Sequence, residues 1–236
     1  MRQGKSQGKV ALRIDRSSTT LRAKTIEALR EGILSLQFKP GDRLIERELC
    51  EMLGVSRTSI REALRHLEAE GLITSEPHRG PVVATVTPEE AQQLYEVRAV
   101  LEGFAGRLFA GRASDAALGK LEREVRRYEQ AAKRLDVDEV LDALARFYAI
   151  IFDECGNLFA RNMIVSLRAR MQYLRTTTMF GQNEADTEQS IRNFRRILEA
   201  AKARNPDAME AACVAQVRHA SSVALQVLRD SAVAGK

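Results

Sequence analysis

The sequence contains no tryptophan, only three cysteines and only three histidines among its 236 residues. Cys50, Cys155 and Cys213 are odd in number and far apart, and none of them forms a CxxC pair. These spacings argue against a disulfide framework and against a zinc ribbon. We therefore expect a protein of the reducing cytoplasm.

Long apolar runs are also missing, since no stretch approaches the roughly 20 residues that a membrane helix requires. The N-terminus is basic, but no apolar segment follows it, so we expect no secretory signal. Hydrophobic residues make up 44% of the chain and charged residues 29%, which is typical of globular proteins. The length allows one or two domains with their own cores, and we expect no contact with a membrane.

The net charge of +5 is unevenly distributed along the chain. Residues 1–87 carry 15 Lys and Arg against 11 Asp and Glu, whereas residues 88–236 carry 22 against 21. Most of the excess positive charge therefore lies in the first third. A basic end on a nearly neutral body indicates a polyanionic partner.

The stretch from Ser56 to Gly71, SRTSIREALRHLEAEG, predicts a helix with two different faces. Ser56 is a good N-cap, and apolar residues follow at i, i+3, i+4 and i+7 in a stripe typical of a core-facing helix. The opposite face carries Arg, Thr and Ser near the N-terminus, where Arg can read guanine edges and backbone N–H groups can contact phosphate. The alternative is a surface helix with a solvated charged face.

The neighbouring segments favour the first interpretation. A first helix is predicted over Thr20–Gln37, with Leu36 on its inner face, and a short helix over Glu46–Leu53 ends at Gly54, a left-handed cap. Two strands, Leu72–Ser75 and Val82–Val86, flank a Pro- and Gly-containing turn after the main helix. Helix, glycine turn, helix and hairpin in this order indicate a winged helix-turn-helix.

Thr87-Pro88 marks a boundary, and everything after it has helical periodicity. We predict six helices, over about 88–110, 114–134, 137–154, 158–179, 185–203 and 206–230. The expected fold is mainly α: a flexible basic arm (1–18), a winged helix-turn-helix domain with a β-hairpin wing (19–87) and an all-helical bundle (88–232). A bundle of this size can enclose a cavity between its helices.

PGDRLIERELCEMLGVSRTSIREALRHLEAEGLI closely resembles the winged helix-turn-helix of GntR-family transcription regulators. The resemblance implies double-stranded DNA as a partner, contacted twice by a homodimer at an inverted-repeat operator. It places the DNA contacts on the "ERE" arginine, on the "SRTSIRE" segment and on the wing tip. The corresponding residues are Arg47, Ser56, Arg57, Thr58, Ser59, Arg61, Arg79 and Gly80.

LYEVRAVLEGFAGRLFAGRAS resembles the opening helix of the FadR-type (FCD) effector domain of the same family. Many such domains bind a metal through an Asp and three His. At those positions this sequence has Leu144, Tyr148, Phe194 and Gln216, and His219 is the only histidine after residue 78. One imidazole cannot replace three, so we expect no metal and no other cofactor. The alternative is a hard cation bound by His219 together with carboxylates such as Asp142 or Asp153.

The resemblance also implies that Arg98 faces the cavity, where a buried guanidinium requires an anionic partner. We therefore expect a small carboxylate effector with an apolar portion, bound by Arg98, Tyr148, Phe194 and Gln216. The alternative is that Arg98 pairs internally with Glu102 or Glu154 and that no ligand binds. Arg168, Arg170, Arg175 and Arg195 line either the cavity or the surface.

The sequence thus predicts a transcription regulator of the repressor type, controlled by an organic acid. The alternative is an architectural DNA-binding protein without an effector. An enzyme is not expected, because we find no Ser/His/Asp arrangement and no paired acids at catalytic spacing.

Overall fold

The structure is a computed structural model that describes residues 16–76, 79–179 and 183–234. Most of the predicted basic arm (1–18) therefore lies outside the described residues. Within the described part, no helix is both long enough and apolar enough to cross a bilayer.

The N-terminal part consists of three helices and a hairpin: α1 (Arg16–Leu34), α2 (Glu46–Leu53), α3 (Arg57–Ala69), β1 (Ile73–Glu76) and β2 (Gly80–Val83). The first helix begins and ends earlier than the predicted Thr20–Gln37. After Leu34 the chain reverses at Leu36, whose φ is +60°, and the Phe38 N–H donates to the Gly32 carbonyl. The periodicity predicts Leu36 on the inner face of this helix. In the structure Leu36 lies beyond the helix and is only partly buried.

The turn between α2 and α3 has the predicted geometry. Gly54 has a φ of +65° and its N–H donates to the Cys50 carbonyl, which ends α2 in the left-handed conformation that glycine adopts without steric cost. Ser56 then caps α3, since its side chain accepts a hydrogen bond from the Ser59 N–H at 3.2 Å. Helix α3 buries Ile60, Ala63, Leu64 and Leu67, the predicted apolar stripe.

The wing is a two-stranded antiparallel sheet in which Ile73 pairs with Val83 and Glu76 pairs with Gly80. The second strand begins two residues earlier than predicted. It also gains a neighbour that the sequence did not indicate, because Arg43 bridges to Val82. Pro77 and His78 of the predicted turn lie outside the described residues.

The C-terminal part contains the six predicted helices: α4 (Pro88–Arg112), α5 (Asp115–Arg134), α6 (Val137–Glu154), α7 (Leu158–Met179), α8 (Glu184–Lys202) and α9 (Pro206–Ala234). Helix α4 starts in a capping box, in which Thr87 and Glu90 bond each other's backbone N–H groups. The core of the bundle is formed by α4, α5, α6, α8 and α9 around Phe109, Leu121, Phe147 and Phe194.

Helix α7 joins the two parts. The ring of Tyr173 lies in the core of the winged domain, and its hydroxyl donates to the Ala84 carbonyl at 2.5 Å. Three residues earlier, the Arg170 Nε donates to the Glu70 carbonyl at 3.2 Å, with its guanidinium lying over Gly71. A side chain at Gly71 would collide with Arg170, so the approach of α7 to the end of α3 requires glycine there.

Candidate nucleic-acid interface and effector cavity

The exposed face of α3 lies opposite its buried stripe. Arg57, Thr58 and Arg61 are exposed there, and Ser59 is partly exposed. Ser56 is exposed as well, with its hydroxyl 3.0 Å from the hydroxyl of Ser59. Hydroxyl and guanidinium groups therefore project from the first two turns of a helix that is held in place by its apolar side.

Arg61 is held by the preceding helix. Its Nε lies 2.9 Å from both carboxylate oxygens of Glu46, the first residue of α2. The pair is exposed, so its contribution to stability is small. Its effect is to fix the direction of the Arg61 side chain, while Arg47, one residue after Glu46, is exposed on the same short helix.

The wing tip brings a further basic group to the described surface. Arg79 is exposed, and Gly80 follows it with a φ of +77°. No atom of the described residues lies within 4 Å of the position that a Cβ would take at Gly80, so it is the positive φ that favours glycine there.

A cavity of about 40 Å³ lies inside the helical bundle. The four residues predicted to contact an effector all line it: Arg98, Tyr148, Phe194 and Gln216. Leu144 lines it as well, and so does His219, whose Nε2 is 3.0 Å from the Asp186 carbonyl oxygen. Each of the four predicted residues comes from a different helix: Arg98 from α4, Tyr148 from α6, Phe194 from α8 and Gln216 from α9.

Arg98 is 2% exposed, and its Nε donates to Glu102 Oε1 at 2.9 Å. The internal pair that was the alternative to pocket lining is therefore formed, yet Arg98 lines the cavity too. Within the described part of the chain, its Nη1 is buried without a hydrogen-bond partner, and so is Oε2 of Glu102. One contact thus satisfies only part of each group.

Arg175 of α7 is the second guanidinium in this cavity. It lies over the Tyr148 ring, 4.5 Å from the centroid, and its Nη2 is buried with no hydrogen-bond partner among the residues that the structure describes. Burial lowers the pKa of Arg175 below its ordinary value, and the nearby charge of Arg98 lowers it further. The Glu102 carboxylate, which pairs with Arg98, partly offsets this lowering of the Arg175 pKa.

A second, more apolar pocket of about 100 Å³ lies between α6 and α7. It shares Tyr148 and Arg175 with the inner cavity, so these two side chains stand between the two spaces. Its other walls include Ala145, Phe152 and Ile164.

Comparison with known proteins bears on both parts of the chain. The model of the gntR family of bacterial regulatory proteins matches residues 21–83, and the FCD domain model matches residues 93–219, more than half of the chain. The chain belongs to the GntR family, in its FCD-domain branch.

Two relatives that match this chain over most of their length are an HTH-type transcriptional regulator and an HTH-type transcriptional repressor. YdhC of Bacillus subtilis is 29% identical over 192 residues, covering 81% of this chain and 85% of YdhC. RspR of Escherichia coli, a transcriptional repressor, is 24% identical over 203 residues, covering 86% and 88%. The structure of E. coli McbR/YncC shares the fold, with a TM-score of 0.76 and 23% identity over 87% of this chain and 97% of that one.

This GntR regulator lacks the side chains that the metal of many FCD domains requires. The positions aligned with the family's ligands do meet around one cavity, but they are occupied by Leu144, Tyr148, Phe194 and Gln216. Burial raises the pKa of Tyr148, which keeps its hydroxyl protonated, and an amide is a poor ligand for a transition metal. Among the described residues, no group of three or more His, Cys, Asp and Glu is arranged to hold a metal ion. These residues do not fit the metal.

Arg175 is a charged cavity residue that the sequence did not single out. It was one of four arginines with no assigned place, and periodicity alone could not separate them. The structure places Arg195 on the surface, where it bonds Glu129 at 2.7 and 2.8 Å, and Arg170 against Glu70. The side chain of Arg168 lies outside the described residues.

Proposed function

We propose that this GntR regulator is a repressor that binds an inverted-repeat operator as a homodimer and is released by a small carboxylate effector. The observation that carries the proposal is the pair of surfaces on one chain: an exposed Arg/Thr/Ser face on α3, and a buried cavity with unpaired guanidinium groups. The relative RspR is a transcriptional repressor, which supports repression as the mode of regulation. Because its target is DNA, we place the protein in the cytoplasm.

In this proposal, α3 enters the major groove, where Arg57 and Arg61 read base edges. Ser56, Thr58, Ser59 and Arg47 contact phosphates and fix the register of the helix. Arg79 and Gly80 bring the wing against the neighbouring minor groove. The exposure of Arg57, Arg61 and Arg79 supports this assignment.

Two copies are needed to read an inverted repeat. Helix α4 supports this with an exposed apolar stripe: Val97 is 47% exposed, Val100 is 70% and Phe104 is 41%. We propose that a second copy covers this stripe and that the division between the two domains lies at Thr87-Pro88.

The effector would control DNA binding through α7. Arg175 lines the cavity, and two residues before it Tyr173 donates its hydroxyl to Ala84, next to the end of the second wing strand. Arg170 on the same helix holds the carbonyl of Glu70 at the end of α3. A ligand that pulls on Arg175 would therefore move the helix that holds both the recognition helix and the wing.

This connection gives a testable coupling. With wild-type protein and a duplex carrying the operator, the short carboxylate that binds best in a thermal-shift screen should weaken DNA binding about 5- to 150-fold. Tyr173→Phe keeps the buried ring but removes the hydrogen bond to Ala84, so the ratio of affinities without and with ligand should move towards one. Fluorescence anisotropy of labelled duplex measures both ratios.

Thr177→Ala is the matched control, because the bonds of the Thr177 hydroxyl to the described residues go to carbonyls of its own helix, those of Tyr173 and Leu174. It should leave the ratio at the wild-type value. An unchanged ratio in Tyr173→Phe would remove this hydrogen bond from the coupling. A ligand that tightens DNA binding would contradict release from the operator.

A further inference from the structure

Resting on the proposed recognition of DNA by α3, we propose that Glu46 determines operator specificity without contacting a base itself. Its carboxylate orients the Arg61 guanidinium towards the base edges of the operator, and it disfavours the binding of Arg61 to the phosphates of other sequences. The inference adds a residue of α2 to the recognition surface and gives it a role in discrimination between duplexes.

The contact between the two side chains uses only one of the donor groups of Arg61. The Arg61 Nε donates to both carboxylate oxygens of Glu46 at 2.9 Å. Within the described residues, the Arg61 side chain forms no other hydrogen bond, so Nη1 and Nη2 remain available as a pair of donors. An arginine can present two such donors to the O6 and N7 acceptors of guanine.

The fold sets the position of the Glu46 carboxylate relative to α3. Glu46 is the first residue of α2 and lies 15 residues before Arg61, so the contact joins two helices. Leu49 of α2 and Ile60 of α3 are buried in the core of the winged domain, which fixes one helix against the other. Because Arg61 is restrained by a neighbouring helix, it loses less rotamer freedom when it binds a base.

Arg57 provides a comparison on the same helix. Its side chain is exposed, and it forms neither an ion pair nor a hydrogen bond with any residue that the structure describes. Loss of Glu46 should therefore affect the base pair that Arg61 reads and leave the base pair of Arg57 unaffected.

The charge of Glu46 has a different effect on sequences other than the operator. A protein binds such duplexes mainly through their phosphates. If Arg61 turned to a phosphate, it would leave Glu46, and the carboxylate would lie unpaired near the negatively charged DNA backbone. A group that penalises the wrong partner raises specificity even though it adds no contact to the right one.

Glu46→Ala removes both the charge and the acceptor, and it tests the inference. Fluorescence anisotropy with the full-length protein compares an operator duplex, recovered by selection of genomic fragments, with a scrambled duplex of equal length. We expect operator affinity to fall and scrambled-duplex affinity to rise. Their ratio should decrease about 2- to 30-fold, the range expected when an exposed ion pair is lost in each of two copies.

Single base-pair substitutions in the operator give a measurement that a merely structural role would not change. Glu46→Ala should flatten the preference at the base pair where Arg61→Ala flattens it, and should keep the preference that Arg57→Ala flattens. In the Arg61→Ala background, Glu46→Ala should change no base preference further.

Glu48→Ala is the matched control, because Glu48 is exposed in the same first turn of α2 and forms no ion pair in the described part of the chain. It removes the same charge and should leave the ratio of the two affinities at the wild-type value. If Glu46→Ala also leaves this ratio unchanged, Glu46 is only a surface charge and the inference is overturned.

Two further results would overturn the inference and leave operator recognition intact. Glu46→Ala could flatten a base pair that Arg61→Ala leaves unchanged, which would mean that Glu46 binds that base directly. Arg61→Ala could flatten no base pair, which would mean that Glu46 has no base contact to orient. Equal affinity of the wild-type protein for the operator and scrambled duplexes would instead overturn the proposed function itself.

Discussion

Arg57→Ala should abolish operator-specific binding while leaving the dimer mass and the thermal stability unchanged. Arg57 is the first residue of α3 and is exposed, so its loss removes a base contact without touching the core. A bidentate Arg–guanine contact discriminates by about 1–3 kcal/mol, and a dimer loses two of them, so we expect about 2–6 kcal/mol. Anisotropy with operator and with scrambled duplex measures the loss and its specificity.

Arg65→Ala is the matched control, because Arg65 is an exposed arginine of the same helix, two turns further from its N-terminus. It should weaken binding to both duplexes slightly and equally, as the loss of a general positive charge does. If Arg57→Ala keeps wild-type affinity for the operator, α3 is not the element that reads the sequence.

Arg98→Met should lower the free energy of unfolding by about 3–5 kcal/mol, the cost of breaking a buried ion pair by removing one partner. The Glu102 side chain, 3% exposed, would remain charged and buried without its guanidinium. Chemical denaturation with and without a carboxylate ligand measures both the stability and the loss of ligand binding.

Two companion variants separate the stability of the pair from its role in binding. Arg98→Met with Glu102→Leu removes both charges and should recover most of the stability but not the ligand, because well-packed apolar replacements of a buried pair are often neutral or stabilising. Arg175→Gln removes a cation whose Nη2 has no hydrogen-bond partner among the described residues, so it should weaken ligand binding without lowering stability. A double variant as unstable as Arg98→Met, or one that still binds carboxylates like wild type, would contradict this account of the cavity.

The features that the sequence predicted well are set by local chemistry. Ser56 caps α3, Gly54 takes the left-handed conformation and Pro88 starts α4 because each depends on residues within one turn. The first helix was less well predicted, since the reversal at Leu36 uses a positive φ that leucine rarely adopts and no glycine marks it.

Contacts between segments that are distant in the chain could not be predicted from the sequence. The bridge from Arg43 to Val82 joins residues far apart in the chain, and neither segment alternates enough to indicate it. Tyr173 belongs to a helix of the bundle by position but packs in the core of the winged domain. Arg175 likewise has no local signal, because its place depends on how α7 crosses α6 near Tyr148.

The most direct test of the account is selection of genomic fragments bound by the purified protein, followed by footprinting of the recovered sites at several salt concentrations. We predict a short inverted repeat, protected symmetrically on both halves by one dimer, with affinity that falls as salt rises. Recovery of fragments with no shared sequence would contradict operator recognition by α3, and failure to retain any duplex at low salt would contradict DNA binding altogether.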